Sequence, residues 1–368
     1  MERRQNRGLG LTRIDRSVSG GISIQGRLWK RPTDNIGVAA ARNYLSGDDR
    51  FAGVDHGSLL RVACPARAAP RDTLRLMPLR IMVSRHSVFY SPLIATIAGG
   101  FLERHGMAAE YAILAAGQRS SALIGAGAVD IMQSAVSSNW KPMEQGESPL
   151  PVHFAQINQR DGFFLVAREP DAAFEWNKLA GQALVADHAA QPLVMLKYAA
   201  RSNGVEWARV EAIDAGAPEE MARAFRQGRG AYVHLQSPAA HQLESDGAGH
   251  VVASVGAAMP PVAFSSLCCS RAFARTETFG RFVEAYGEAR EWVRTAPAVE
   301  VARAEADFFA GYSMDALAAG IGRYQALGCW EGGVDIPRNL YEQALNVFQT
   351  EGGIGRRHAY EEVCMSAL

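Results

Sequence analysis

Polar and aromatic side chains follow the first strand-like run of the chain, at a position suited to holding a ligand. The run LRIMVS at 79–84 ends in RHSVFY at 85–90, and a helix is predicted from Ser91, its expected N-cap, with a proline in its first turn. The first amides of a helix favour an anion or a polar acceptor. Either aromatic ring is expected to stack on a flat group, unless both rings merely cap the core. The ligand-contacting candidates of this loop are Ser87, Phe89 and Tyr90.

Further polar candidates lie where other predicted strands end. We expect Arg160 to clamp a carboxylate or a sulfonate, and the alternative is a surface pair with its neighbour Asp161. Ser134 is either a ligand contact or a plain helix cap, and His188 is either a contact or an incidental loop residue. The candidates of this kind are Gln133, Ser134, Asn158, Arg160, His188, Ala189 and Gln236.

No spacing of residues establishes catalysis. His86 and Ser87 are adjacent in sequence, which does not make them a nucleophile and its base. The five cysteines show no CxxC or Cys/His metal spacing, and the glycine-rich runs do not open helices after strands. We therefore expect no cofactor, free buried thiols and non-catalytic ligand binding, with an enzyme as the open alternative.

Charge is unevenly distributed along the chain. Residues 1–76 carry 13 arginines and one lysine against seven acidic residues, although the whole chain has 38 basic and 38 acidic residues. This segment has no sustained periodicity, and we expect either a disordered basic extension or a true start at Met77. The remainder has no basic stripe, no apolar run of membrane-spanning length and no recognisable secretory signal, so we expect neither a nucleic-acid partner nor a transmembrane segment.

Strand and helix patterns alternate after the basic segment. The first set predicts a parallel sheet with crossover helices, and a second set of such units follows. The chain crosses between the two sets near 163–167 and near 260–264. The prediction is an α/β, two-lobed fold in which residues 77–166 and 260–368 form lobe 1. Residues 167–259 form an inserted lobe 2, and the cleft between the lobes can close about two crossover strands.

A family resemblance rests on four sequence runs. FYSPLIATIAGGFLERHGMAAEYAIL at 89–114 resembles the opening signature of solute-binding proteins of the nitrate, sulfonate and taurine transport group, which also includes thiamine-pyrimidine-precursor binders. GAVDIMQSAVS at 127–137, FEWNKLAGQALVAD at 174–187 and RYQALGCWEGGVDIP at 323–337 follow in matching order. The resemblance covers most of residues 78–350 and implies the type II periplasmic-binding-protein fold.

The same resemblance implies a function. It implies capture of a small polar or anionic solute, such as a sulfonate, taurine, nitrate or a pyrimidine precursor, and its delivery to an ABC permease and ATPase. It also implies a periplasmic location, and we expect a monomer. Because no export signal is recognisable, a cytoplasmic enzyme or ligand sensor on the same scaffold is the alternative, for example a desulfinase-like or pyrimidine-synthesis-related protein. The cysteine of such desulfinases is missing from the loop after the first strand, as is the cysteine-rich motif of the pyrimidine synthases.

Overall fold

The computed structural model describes residues 78–115 and 117–367, together with the backbone of two short antiparallel strands, Ser23–Ile24 and Arg27–Leu28. The predictions made for residues 1–76 otherwise lie outside the described residues. Leu59–Leu368 forms a compact unit by itself, and the two sheets and their helices all belong to it.

The first sheet contains five strands in the order β2-β1-β3-β10-β4. In β1, Met82 lies opposite Ala112 of β2 and Met132 of β3, and both pairings are parallel. The parallel pairing expected for the first strands is confirmed, and β10, which the sequence analysis did not place in this sheet, runs antiparallel between β3 and β4 and makes the sheet mixed. β10 enters from the second sheet through an extended segment, without the helix that a parallel connection needs. The strands are β1 Leu79–Val83, β2 Ala109–Ile113, β3 Ile131–Ser134, β4 Val152–Asn158 and β10 Ser265–Cys269.

The second sheet has the order β9-β5-β8-β6-β7, with β6 parallel to β7 and β8, and β5 antiparallel to β8 and β9. The sequence analysis assigned residues 163–166 to lobe 1. The strand β5 instead pairs on both sides within the second sheet, because its buried FFLVA run completes that sheet. The strands are β5 Phe163–Ala167, β6 Ala183–Val185, β7 Glu211–Ile213, β8 Tyr232–Gln236 and β9 His250–Ser254.

Helices cover both sheets. We call the first sheet with α1–α4 and α8–α12 lobe 1, and the second sheet with α5–α7 lobe 2. The α-helices are α1 Ser91–Ala98, α2 Phe101–Arg104, α3 Ser120–Gly125, α4 Ser137–Glu144, α5 Ala190–Ser202, α6 Pro218–Arg226, α7 Ala239–Ser245, α8 Glu277–Thr295, α9 Ala298–Glu305, α10 Met314–Ala326, α11 Arg338–Thr350 and α12 Tyr360–Val363. Short 3-10 turns span Val88–Tyr90, Trp176–Leu179, Trp207–Arg209, Val255–Ala257, Phe273–Arg275 and Ala306–Phe309.

The helix predicted from Ser91 to Gly106 is broken in two. Gly100 has a φ of 72°, in the left-handed region, and a Cβ on Gly99 would lie 2.6 Å from the ring of Phe101. The helix start also differs from the prediction, because the chain enters α1 through a 3-10 turn. Ser87 caps that turn by accepting a hydrogen bond from the Phe89 amide, and Ser91 provides no cap for α1.

An amphipathic helix shows how the core is built. α8 packs against α1, and its buried residues recur at helical spacing. Burying one phenylalanine in this way stabilises the fold by about 1.5–3 kcal/mol. The buried apolar cluster to which α8 belongs continues through both sheets. The buried positions of α8 are Phe279, Phe282, Val283, Ala285, Tyr286, Ala289, Arg290 and Val293.

Two segments without helix or strand, 159–162 and 260–264, connect the lobes. The second coincides with the predicted crossover near 260–264, whereas the first lies before the predicted 163–167, which belong to β5. The two segments are joined to each other and to β4, because the amides of Val262 and Phe264 donate to the carbonyls of Gln159 and Asn158 at 2.9 and 3.1 Å. Within the part of the chain that is described, no helix has the length and apolarity needed to cross a membrane.

Candidate functional site

A narrow cleft lies where loops of the two lobes face each other. Lobe 1 contributes residues 85–87 after β1, and lobe 2 contributes Asp187 after β6, residues 236–239 after β8 and Glu219 at the start of α6. These loops follow the carboxyl ends of their strands, where ligands bind in open α/β sheets. The cavity between them is about 20 Å³, which is room for about one water molecule. The two walls of the cleft therefore nearly touch.

An ion pair joins the two walls. Nη1 of Arg85 lies 2.6 Å from Oδ2 of Asp187, and the side chains are 21% and 5% exposed, respectively. The second carboxylate oxygen of Asp187 accepts a hydrogen bond from the Ala189 amide at 2.9 Å. The guanidinium carbon of Arg85 also lies 5.7 Å from the centre of the Phe163 ring. One positive and one negative group, from opposite lobes, thus meet in a site with little water.

His86 is fixed in a neutral form. Its Nε2 lies 2.7 Å from the carbonyl oxygen of Phe308, and its Nδ1 lies 2.9 Å from the hydroxyl of Tyr111. Because a carbonyl only accepts, Nε2 carries a proton, and in the neutral ring Nδ1 then accepts from the Tyr111 hydroxyl. Burial lowers the pKa of His86, and its ring stacks on Phe309 with centroids 4.3 Å apart. His86 therefore contributes shape to the cleft and no positive charge.

Ser87 does not pair with His86. Its hydroxyl donates to the carbonyl of Ser237 across the cleft at 2.6 Å. The Ser237 hydroxyl is hydrogen-bonded to Nδ1 of His241, but Ser237 is fully buried and a Cβ on Gly320 of α10 would lie 2.6 Å from its Cβ. These serines hold the lobes together, and neither has the open geometry of an activated nucleophile.

Gln236 and Glu219 complete the polar lining. Gln236 is 8% exposed, and its amide nitrogen has no hydrogen-bond partner among the described residues. Glu219 is exposed at the rim. Burial, and to a smaller extent the nearby Glu219 carboxylate, raises the pKa of Tyr312 to about 12. The cleft lining therefore contains a side-chain amide, which also faces the Tyr90 hydroxyl, and a second carboxylate besides Asp187.

Among the residues predicted from the sequence, the structure places Ser87 and Gln236 in the cleft lining. Phe89 and Tyr90 are buried instead. The Phe89 ring lies 4.8 Å from that of Tyr324, and a Cβ on Gly162 would overlap it. The hydroxyl of Tyr90 faces the side chains of Gln236 and Ser265 behind the cleft wall. Both rings therefore occupy the core positions that were the alternative interpretation.

Gln133 and Ser134 lie at the end of β3 and outside the cleft lining. The side-chain oxygen of Gln133 accepts from the amide of Ser84 at 2.9 Å, which ties β3 to the end of β1. The hydroxyl of Ser134 lies 3.0 Å from that of Ser138 in α4. Both side chains therefore make their hydrogen bonds within lobe 1.

Asn158 and Arg160 flank the first crossover, also outside the cleft lining. The Asn158 amide donates to the Phe89 carbonyl at 2.7 Å, and Nη1 of Arg160 donates to the Gly256 carbonyl at 3.1 Å. Arg160 does not pair with Asp161, whose Oδ1 accepts from the Phe163 amide and whose other oxygen has no partner in the described structure. Burial raises the pKa of Asp161 to about 8.

His188 and Ala189 are exposed beside the cleft, and His188 folds back so that its Nδ1 lies 2.9 Å from the carbonyl of Ala186. The preceding residue, Asp187, lines the cleft instead. Sequence reasoning missed Arg85, Asp187 and Glu219 as site residues. The strand-end rule that selected Ser87 and His188 would have found the first two, because each is the first charged residue after its strand.

The cysteines lie elsewhere. Cys268, Cys269, Cys329 and Cys364 are free and buried, and none lines the cleft. Burial raises the pKa of Cys269 to about 12 and that of Cys268 well above its usual value, so these thiols stay protonated. The residues that the structure describes include no group of three or more His, Cys, Asp or Glu side chains able to hold a metal ion.

Two sheets with these strand orders, joined by two crossovers and facing a cleft, define a two-lobed periplasmic-binding-protein fold, which solved proteins share with this chain. No protein-family model matches the chain. Putative binding protein YtlA of Bacillus subtilis is 26% identical over 305 residues, which are 81% of this chain and 90% of that protein.

Two solved structures show the range of proteins with this fold. The alkanesulfonate-binding protein SsuA from Xanthomonas axonopodis pv. citri, bound to MOPS, matches with a TM-score of 0.60 and 13% identity over 78% of this chain and 98% of its own. The desulfurization enzyme DszB, in complex with biphenyl-2-sulfinic acid, matches with a TM-score of 0.55 and 16% identity. The match covers 78% of this chain and 96% of the DszB chain. The resemblance noted from the sequence is thus confirmed in the fold, and a sulfonate-binding protein is among the structures that share it.

Proposed function

We propose that this protein is a solute-binding protein that captures a small polar or anionic solute between its lobes. The solute classes of the proposal are sulfonates, taurine, nitrate and pyrimidine precursors. The proposed role is to present the closed, loaded form to an ABC permease and its ATPase on the outer side of a membrane. Ligand contacts with both lobes would stabilise the closed arrangement at the expense of open ones.

One observation carries the proposal: charged side chains from opposite lobes, Arg85 and Asp187, converge on one cleft at the ends of β1 and β6. A solute that contacts both walls gains interactions only when the lobes are together. The crossovers at 159–162 and 260–264 are the segments about which the lobes would open to admit it. The similarity to Putative binding protein YtlA and to SsuA supports this interpretation.

The test is a thermal-shift screen of the full chain. The panel contains taurine, alkanesulfonates, nitrate, pyrimidines and aromatic acids, each over a range of concentrations. A solute that binds the native state raises the melting temperature by mass action, by an amount that grows with the logarithm of its concentration. Small-angle scattering with the best solute should then show a more compact particle than without it. A panel without any concentration-dependent shift would contradict the proposal.

An enzyme or a ligand sensor on the same scaffold is the second candidate, and the match to DszB favours keeping it. In the cleft, the Ser87 hydroxyl donates to the Ser237 carbonyl of the opposite lobe, and the Ser237 hydroxyl is hydrogen-bonded to His241 within lobe 2. The described cysteines are buried elsewhere. Monitoring each binding solute by mass spectrometry after prolonged incubation separates the two candidates. A chemically altered solute establishes an enzyme, and an unaltered one supports binding alone.

A further inference from the structure

We propose that the solute is a small zwitterion, whose anionic group pairs with Arg85 and whose ammonium group pairs with Asp187. This inference rests on the proposed function, because it names the chemical class of the occupant of the same cleft. The anionic group is a sulfonate or a carboxylate, and the cationic group lies a few bonds away.

The charges that face the cleft do not suit a simple anion. Among its lining residues, Arg85 carries the single positive charge, whereas Asp187 and Glu219 carry two negative charges. His86 is expected to add no charge near neutral pH, because burial lowers its pKa. A simple anion would pair with Arg85 and would at the same time approach two carboxylates of the opposite wall, which opposes binding.

The burial of Asp187 strengthens this argument. Its side chain is 5% exposed, and its Oδ2 is paired with Arg85 while its Oδ1 is held by the Ala189 amide. A simple anion that displaces Asp187 from Arg85 leaves a buried carboxylate without a cation, and an unpaired buried charge is strongly destabilising. A zwitterion inserted into the pair leaves each protein charge beside an opposite charge.

Other polar groups in the lining fit both ends of such a solute. Gln236 lines the cleft, and its amide nitrogen, which faces the Tyr90 hydroxyl without a hydrogen bond of normal geometry, can donate to an anionic oxygen. Glu219 at the rim is a further acceptor for an ammonium group.

The experiment is calorimetric titration of the wild-type chain with two matched pairs of probes. Taurine is compared with isethionate, in which a hydroxyl replaces the ammonium group, and β-alanine is compared with 3-hydroxypropionate in the same way. We expect a zwitterion to bind on the order of 100-fold more tightly than its hydroxyl analogue. The pair that shows this ratio tells whether the anionic group is a sulfonate or a carboxylate.

A substitution tests the role assigned to Asp187. Asp187→Asn keeps the size and an oxygen for the Ala189 amide but removes the charge, so Arg85 becomes free for simple anions. The preference for the zwitterion should fall to about threefold or less, and the hydroxyl analogue should bind more tightly than it does to the wild type. Arg160→Gln, which removes an arginine outside the cleft lining, is the control and should leave the preference unchanged.

Two results would overturn the proposal and leave the solute-binding function intact. One is equal or tighter binding of the hydroxyl analogues in both pairs. The other is that none of the four probes binds although a different solute of the thermal-shift panel does. If no solute of any kind binds, both proposals fail together. The wild-type ratios decide the question even if Asp187→Asn does not fold.

Discussion

Two arginine–aspartate couples in this molecule behave in opposite ways. Arg85 and Asp187 are far apart in sequence and belong to different lobes, yet half-buried Arg85 and buried Asp187 form an ion pair with 2.6 Å between nitrogen and oxygen. Arg160 and Asp161 are neighbours in sequence at the first crossover, and they do not pair. Arg160 donates to the Gly256 carbonyl, and Asp161 accepts from the Phe163 amide.

The difference follows from where each side chain lies. At the first crossover Arg160 is half-exposed whereas its neighbour Asp161 is buried, so the two side chains take different backbone partners. Loops at strand ends, in contrast, face each other across the cleft whatever their separation in sequence. Charges that can meet a solute in this fold are therefore found at strand ends, and neighbouring charges on a crossover serve the connection between the lobes.

The largest expected effect concerns Asp161 at the first crossover and the dependence of the free energy of unfolding on pH. Burial raises the pKa of Asp161 to about 8, whereas an unfolded aspartate ionises near pH 4. Between these values the folded chain holds a proton that the unfolded chain has lost, so stability falls as pH rises. Asp161→Asn should remove this loss. Relative to the wild type, the variant should gain several kcal/mol between pH 4 and pH 8, since one pKa unit corresponds to about 1.4 kcal/mol.

Urea unfolding of both chains over this pH range provides the measurement. The difference between the two curves isolates Asp161, because the buried histidines contribute equally to both chains. Curves that stay parallel from pH 4 to pH 8 would show that Asp161 is ionised in the folded protein.

The second effect concerns the two arginines. Arg85→Gln should weaken binding of the best solute in the thermal-shift panel on the order of 100-fold, about 3 kcal/mol, because it removes the cation of the cleft and leaves Asp187 unpaired. Arg160→Gln should change affinity by about twofold or less, because this side chain lies outside the cleft lining. Calorimetry on both variants is decisive. A larger loss for Arg160→Gln would restore the anion clamp predicted from the sequence.

The third effect tests the close packing at the crossover. A Cβ on Gly256 would overlap the carbonyl oxygen of Asp161, so Gly256→Ala must displace backbone. We expect a loss of about 1–3 kcal/mol in the free energy of unfolding. The matched control is Gly125→Ala in α3, where an added Cβ meets nothing within 4 Å, and where alanine is expected to be neutral or to stabilise by up to about 1 kcal/mol. Equal effects in urea unfolding would contradict the crossover packing.

The smallest effect concerns the exposed part of the turn that carries Asp187. His188→Ala should change the free energy of unfolding by no more than about 0.5 kcal/mol, because the ring is exposed and bonds only to the carbonyl of Ala186 in its own turn. Affinity for the best panel solute should also stay within about twofold of the wild type. A substantial loss of affinity would place His188 in the binding site, which is one of the two interpretations left open by the sequence analysis.

Much of the fold could be predicted, because local sequence patterns indicate most of its strands and helices. Strands such as LRIMVS and GFFLVAR and the amphipathic α8 are recognisable from runs and spacing, and the glycine pair at 99–100 is a local reason for the break in the first helix. The membership of β5 in the second sheet and the antiparallel insertion of β10 were not predictable. Which strands pair depends on packing between segments that are distant in sequence, and the local hydrophobic periodicity does not reveal it.

The candidate site was predicted only in part for a related reason. The strand-end loops were located correctly, and Ser87 and Gln236 do line the cleft. Within each loop, however, the side chain that faces the cleft depends on which neighbours are buried, and Phe89 and Tyr90 are buried in the core. The pattern of an apolar helix start looks the same whether its aromatic residues face a ligand or the interior.

By itself, the sequence determined a two-lobed α/β body with crossovers and polar loops at the strand ends, because hydrophobic periodicity and turn residues act over a few neighbours. Only the tertiary structure decided that Arg85 meets Asp187, that Arg160 is turned away from the cleft and that Asp161 is buried without a countercharge. Electrostatic pairing depends on distance and burial in space, and both are set by the way in which the two lobes come together.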